Sequence, residues 1–92
     1  MGNFTNYVLG VQEASALGIR VYPNPMEHEL RIDLPEHGLY SIELRDLTGR
    51  LVVARSQCKI TCTLQREGNA SGIYELVISG EGMQAHQRVV LK

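Results

Sequence analysis

Strict alternation of apolar and polar residues constrains this chain more than any other feature. Leu30, Ile32 and Leu34 share one side of an extended segment, with Arg31 and Asp33 on the other. Tyr40, Ile42 and Leu44 oppose Ser41, Glu43 and Arg45 in the same way, and Tyr74, Leu76 and Ile78 oppose Glu75 and Val77. Successive strand side chains point to opposite faces, so each run has one face for a core and one for water, as in antiparallel sheets. Such β-rich runs recur from Ile19 onward about every 8 to 12 residues, separated by turn residues, the spacing of an all-β sandwich or barrel. The predicted strands cover 19–22, 30–34, 39–45, 51–55, 60–64, 73–79 and 84–91. Two one-sided sheets packed face to face would complete the core.

The punctuation between runs has its own chemistry. In Asp46-Leu47-Thr48-Gly49 the Asp carboxylate can accept from backbone amides two residues on, and Gly takes the fourth position that type I turns favour. Asn69-Ala70-Ser71-Gly72 is predicted to repeat that arrangement. Ser79-Gly80-Glu81-Gly82 is predicted to close a hairpin between the last two strands. Pro35 ends the strand before it. Pro23 and Pro25 are predicted to hold Tyr22-Pro23-Asn24-Pro25 extended, as a fixed elbow that cannot continue a ladder. Residues 1–18 show no clear period and are predicted to be a linker or a loosely docked arm, with the sandwich over 19–92.

Composition removes several function classes. A chain of 92 residues has material for one core. Nine Lys and Arg against ten Asp and Glu are scattered without a basic block, so there is no electrostatic source of affinity for nucleic acid. No apolar run approaches the roughly 20 residues that span a bilayer. Neither a basic n-region nor an apolar h-region follows Met1, so the chain reads either as cytoplasmic or as a piece of a longer exported protein. Glu27-His28-Glu29 are three adjacent residues that cannot by themselves enclose a metal, and neither His37 nor His86 has a fixed relation to them. Nucleophile elbows, phosphate-cradling glycine loops and His-Glu-x-x-His motifs are missing from the sequence, so no enzyme, no cofactor and no small-molecule substrate are expected. Cys58 and Cys62 would lie about 13 Å apart on a continuous strand, beyond the roughly 7 Å limit for a disulfide. They can bond only if a turn or bulge falls within Lys59-Ile60-Thr61; a disulfide and two buried thiols both remain open.

Four segments in order resemble one family, the C-terminal sorting domains of type IX secretion cargo in Bacteroidota. The first is Val21-Tyr22-Pro23-Asn24-Pro25 followed by Leu30-Arg31-Ile32. The second runs from Gly38 through Tyr40 and the Asp46-Leu47-Thr48-Gly49-Arg50 turn to Val52. Ala70-Ser71-Gly72-Ile73-Tyr74-Glu75-Leu76-Val77-Ile78 is the third, and a glycine turn leading to Arg88-Val89-Val90-Leu91-Lys92 is the last. The resemblance covers residues 19–92; Cys58 and Cys62 lie outside the family pattern, and 56–69 matches it only in strand-like texture.

This resemblance implies an immunoglobulin-like β-sandwich of about seven antiparallel strands at the end of a larger exported protein, with Met1, alone or with Gly2, foreign to that tail. The cargo would pass through the periplasm and be recognised there by the outer-membrane translocon and its shuttle components. A surface sortase would then remove the domain and join the cargo to lipopolysaccharide, leaving it at the cell surface or secreted. The motif-bearing residues are Pro23, Asn24, Pro25, Gly38, Tyr40, Asp46, Gly49, Arg50, Gly72, Tyr74, Arg88, Val89, Val90 and Lys92. In this reading the prolines and glycines fix corners, Tyr40 and Tyr74 are core rings with hydroxyls at the rim, and the last strand with Lys92 presents the surface that is read. The alternative is a fibronectin- or immunoglobulin-like spacer or adhesion module of a cell-surface protein. Its carbohydrate-binding form would want exposed aromatic platforms, yet the sequence has no Trp, one Phe and four Tyr. The position of Arg88-Val89-Val90-Leu91-Lys92 at the chain end favours the sorting tail. An exposed arm could also add to a neighbour's sheet edge and give a domain-swapped homodimer.

Overall fold

The apolar side of each alternating run turns inward. In the computed structural model, residues 11–35, 38–80 and 82–92 are described. They form β1 (Val11–Glu13), a 3-10 turn (Ala14–Leu17), β2 (Arg20–Tyr22), β3 (Glu29–Asp33), β4 (Tyr40–Arg45), β5 (Leu51–Cys58), β6 (Thr61–Gln65), β7 (Gly72–Gly80) and β8 (Met83–Leu91). One sheet has the order β1-β8-β7-β4-β5, the other β2-β3-β6. Strands β2 to β8 pair antiparallel, and β1 alone pairs parallel, on β8. The all-β sandwich expected from the alternation is therefore the fold. Leu30 and Ile32 of β3 and Leu64 of β6 face Ile42 and Leu44 of β4, Leu76 and Ile78 of β7, and Val89 and Leu91 of β8 in one continuous core. Residues 1–10, which include much of the expected linker, lie outside the described residues, as do His37 and Glu81.

Three local expectations are corrected. Tyr22-Pro23-Asn24-Pro25 is bent, not extended, with both peptide bonds that precede the prolines cis. The bend returns the chain to β8, where Asn24 and Met26 find hydrogen-bond partners that an extended path would have left behind. Asn69 closes the turn before it rather than the one after. Its amide and its side-chain Nδ2 both donate to the Arg66 carbonyl, at 3.1 and 2.7 Å. Gly68 sits at φ +79° inside that turn, so the tight reversal falls at 66–69. Strand β5 runs three residues past its predicted end, because Cys58 pairs with Tyr40 across an irregularity in the β4 ladder. The polar run Arg55-Ser56-Gln57 carries no alternation that would have marked this extension.

The two cysteines are disulfide-bonded, with their Cα atoms 5.6 Å apart. A one-residue reversal makes this reachable: the Thr61 amide donates to the Lys59 carbonyl at 2.6 Å, and Ile60 between them has φ +66°. A β-branched residue in that region costs on the order of 1–3 kcal/mol. The Leu34 amide donates to the Ile60 carbonyl at 2.7 Å and, with the disulfide, holds the residue there. Closing so short a loop contributes about 2 kcal/mol through the unfolded chain. The bond also ties β5 of one sheet to β6 of the other at the corner of the sandwich.

Of the stretch expected as linker or arm, 11–18 is described. Val11–Glu13 lies beside Gln84, Ala85 and His86, and Ala14 is wholly buried. Gly18 at φ +79° ends the 3-10 turn and sends the chain across to the second sheet. Three paired residues and one buried alanine are too short a run to register as periodicity.

Tyr40 and Tyr74 are both buried, as the alternation requires. The Tyr74 hydroxyl donates to the Ala70 carbonyl at 2.7 Å. The Tyr40 ring lies over Gly80, so closely that a Cβ there would overlap the edge of the ring. Gly80→Ala is expected to cost about 1–3 kcal/mol, since the ring must leave its rotamer or the strands must part. At roughly 4–8 °C per kcal/mol, this is a visible fall in the midpoint of thermal unfolding by circular dichroism. The same substitution made in a Tyr40→Leu background should cost less, because the ring it collides with is gone.

Candidate recognition surface

The outer edge of β8 is the problem that this fold has to solve. One edge of β8 pairs with β7, and the other would present a row of unpaired amides and carbonyls. Two separate segments cover it. β1 takes the first part, opposite Gln84 to His86. The proline elbow takes the last part. Asn24 Nδ2 donates to the Arg88 carbonyl at 3.1 Å, and the Val90 amide donates to Asn24 Oδ1 at 3.0 Å. The Asn24 carboxamide thus does what a peptide group of a neighbouring strand would do. The next pairings come from the backbone: the Met26 amide donates to the Val90 carbonyl at 2.8 Å, and the Lys92 amide to the Met26 carbonyl at 2.9 Å. Met26 has no exposed surface and plugs the core beneath this contact. Tyr22, just before the elbow, is fixed by donation to Asp33 Oδ2 at 3.0 Å and by Arg20 lying 5.5 Å from its ring centre.

Pro23, Asn24, Pro25, Arg88, Val89, Val90 and Lys92 are therefore brought together, with Gly72 and Tyr74 beside them through the pairs Gly72–Leu91 and Tyr74–Val89. Within this group Val89 and Tyr74 belong to the core, while Arg88, Val90, Lys92 and the prolines face solvent. Asp46, Gly49 and Arg50 form the β4–β5 turn, at the same end of the sheet as Gly72. Gly38 and Tyr40 are not part of the assembly; they lie at the opposite end, beside the Gly80–Met83 hairpin.

The β4–β5 turn has the predicted chemistry. Asp46 Oδ1 accepts from the Thr48 amide at 3.0 Å, the Thr48 hydroxyl at 2.6 Å and the Arg50 amide at 3.0 Å, and the Gly49 amide donates to the Asp46 carbonyl at 2.9 Å. Gly49 adopts φ +91°, which a side chain would resist. The Thr48 hydroxyl above all, then the Arg50 amide, hold the Asp46 carboxyl below its ordinary value of 3.8. Arg50 reaches back to Asp46 at 3.3 Å yet stays largely in water, and Arg45 Nη1 donates to the Gly49 carbonyl at 2.7 Å.

Arg66 carries the most connected side chain at this end, and neither alternation nor the family-like segments mark it. Its Nη1 donates to the main-chain oxygens of Glu27 and Lys92, both at 2.9 Å. Nε donates to the Asn69 carbonyl at 2.8 Å and Nη2 to the Ser71 hydroxyl at 3.2 Å. The only available signal is a fork-shaped cation flanking a tight turn, which is common on protein surfaces. Glu27, His28 and Glu29 line an open hollow with Pro23, Pro25 and Lys92, where Lys92 Nζ lies 3.8 Å from Glu27 Oε2. On the outer face of the larger sheet His86 Nδ1 is 2.9 Å from Glu75 Oε2. No cluster of three or more His, Cys, Asp or Glu suited to a metal occurs among the described residues.

The family model described as the secretion system C-terminal sorting domain matches residues 20–92. Among solved structures, the chain is similar to PorZ, an essential bacterial surface component of the type-IX secretion system of Porphyromonas gingivalis, with a TM-score of 0.71 and 22% identity. The match covers 86% of this chain and 12% of that one, and at this identity the likeness is one of fold. No curated protein matches the chain.

Asn24→Ala removes both side-chain contacts to β8 and is expected to cost about 1–3 kcal/mol in urea unfolding. Asn24→Asp keeps the acceptor for Val90 but sets a carboxylate oxygen against the Arg88 carbonyl, so it should destabilise as well and give no rescue. Because the folded-state pKa of Asp46 is depressed, its contribution is complete above the unfolded value and fades as pH falls through the folded one. The stability gap between wild type and Asp46→Ala should therefore be open at pH 7 and narrow below about pH 4, as read by unfolding at a series of pH values.

Proposed function

This chain belongs to the C-terminal sorting domains of the type IX secretion system, and we propose that its folded sandwich is the address label by which a larger cargo protein is read in the periplasm. The domain is a sorting signal for export across the outer membrane, to the surface or into the medium. In the proposal its readers are the outer-membrane translocon and shuttle components, and a surface sortase removes it when the cargo is joined to lipopolysaccharide. The sandwich proper is taken as residues 19–92, with 1–18 leading into it from the cargo.

The observation that carries this reading is the union of elbow and terminal strand. Pro23, Asn24 and Pro25 are far in sequence from Arg88, Val90 and Lys92, yet hydrogen bonds join them into one fixed patch. A label ordered only on docking would lose affinity to its own ordering entropy, whereas a preformed patch does not. In this proposal Arg88, Val90, Lys92 and the two prolines are touched by the reader. Asn24, Gly72, Tyr74 and Val89 hold that patch in shape, Asp46, Gly49 and Arg50 fix the separate β4–β5 turn at the same end, and Gly38 with Tyr40 shapes the far end.

The test is a reporter fused upstream of residues 1–92 and assayed for surface delivery in a host with this machinery. Removal of 83–92 is expected to abolish delivery, but it also takes Val89 and Leu91 out of the core. The decisive variant is therefore Arg88→Glu with Lys92→Glu, which alters two exposed side chains and should leave the circular dichroism spectrum unchanged. Delivery is expected to fall tenfold or more; delivery at the wild-type level from this folded variant would overturn the assignment of the read surface.

A further inference from the structure

We infer that Arg66 is a positioning residue of the sorting signal: one guanidinium locks the elbow, the β6–β7 turn and the end of the terminal strand into a single rigid patch. The inference rests on the sorting reading above and adds to it a residue outside the four family-like segments. Glu27 follows the elbow, Asn69 and Ser71 belong to the turn into β7, and Lys92 follows β8; Arg66 donates to all of them. Its own amide adds a bond to the His28 carbonyl at 3.0 Å. No other link among the described residues spans these three segments at once. The elbow reaches β8 through Asn24 and Met26, but neither of those touches the 66–71 turn.

The chemistry of the donor set explains why arginine stands here. Arg66 pairs with no Asp or Glu side chain among the described residues, so main-chain and hydroxyl oxygens surround the charge. Such an arrangement is directional: each N–H of a planar fork must meet its own acceptor. A lysine ammonium is a point charge on a flexible stem and cannot span acceptors on three segments. The side chain is half-buried, and its bond to the Asn69 carbonyl is the one partly shielded from water. Among the segments held, Lys92 matters most to function, because its main-chain oxygen is fixed by Arg66 and its amide by Met26. Without Arg66, Lys92 loses one of its two main-chain anchors and keeps the Met26 bond and the long, exposed Nζ contact with Glu27.

The experiment uses the full chain fused to the surface-delivery reporter, with Arg66→Lys, Arg66→Met and a control, Val53→Ala, which cavitates the core on β5. Fraction folded is measured for each fusion by thermal unfolding, and delivery is compared at temperatures where the variants are equally folded. Both Arg66 variants are expected to deliver at least tenfold less reporter than Val53→Ala at equal fraction folded, with Lys giving no rescue. Hydrogen exchange should also show early loss of protection at the Lys92 amide, with Leu76 and Ile78 unaffected. Delivery that follows fraction folded along the same line as Val53→Ala would reduce Arg66 to a stability residue and overturn the inference. Failure of the wild-type fusion to reach the surface would instead sink the sorting reading itself, so the two failures are distinguishable.

Discussion

The covering of the last strand's free edge is the contact on which the rest of the structure depends. A strand that contributes Val89 and Leu91 to the core cannot be lost without opening the sandwich, and a bare edge would invite pairing with any other extended chain. The protein covers it with two unlike devices. β1 supplies ordinary backbone pairing. The elbow supplies a side chain, because a segment that contains Pro23 and Pro25 lacks amides at both positions. Asn is the residue whose carboxamide can stand in for a missing peptide group, offering one donor and one acceptor side by side. The position of Asn24 between two prolines then has a mechanical explanation: the prolines set the bend, and the asparagine supplies the bonds that they cannot.

From that contact the geometry of the whole end follows. Once Met26 is placed against Leu91, the chain must leave towards β3 past Lys92, and Glu27 and His28 come within reach of Arg66. The turn at 66–69 is held by Asn69, and the Tyr74 hydroxyl anchors the entry to β7 through Ala70. The Asp46 turn stands at the same end of the larger sheet but is tied within itself. Hydrogen bonds from side chains to the main chain are thus gathered where the terminal strand ends. The disulfide serves a different purpose: it joins β5 of one sheet to β6 of the other at the corner where Ile60 is held in the left-handed region.

Sequence was most informative where a physical rule repeats. The paired faces of 30–34, 40–45 and 74–78 were legible because every second residue reports the same environment. The Asp46 turn was legible because its bonds close within four residues. Where one residue answers to a distant partner, the reading faltered. The elbow was expected to be extended because local proline preferences favour that shape, and the Asn69 turn was misplaced because glycine at 72 looked like a turn terminus. Cys58 and Cys62 stayed open until the reversal at Ile60 was visible, since nothing in Lys59-Ile60-Thr61 advertises a positive φ.

By itself, then, the sequence determined an all-β sandwich, which faces of its strands are buried, and, through its four ordered segments, the family to which it belongs. Only the tertiary structure decided how the last strand is closed, that the cysteines are joined, and that Arg66 gathers three segments. The physical reason is range. Alternation and turn chemistry act between neighbours and recur, so they leave a pattern in the letters. The bond from Asn24 to Arg88 spans 64 residues and that from Arg66 to Glu27 spans 39; each occurs once, between side chains and backbone groups that look ordinary until the sheets are packed.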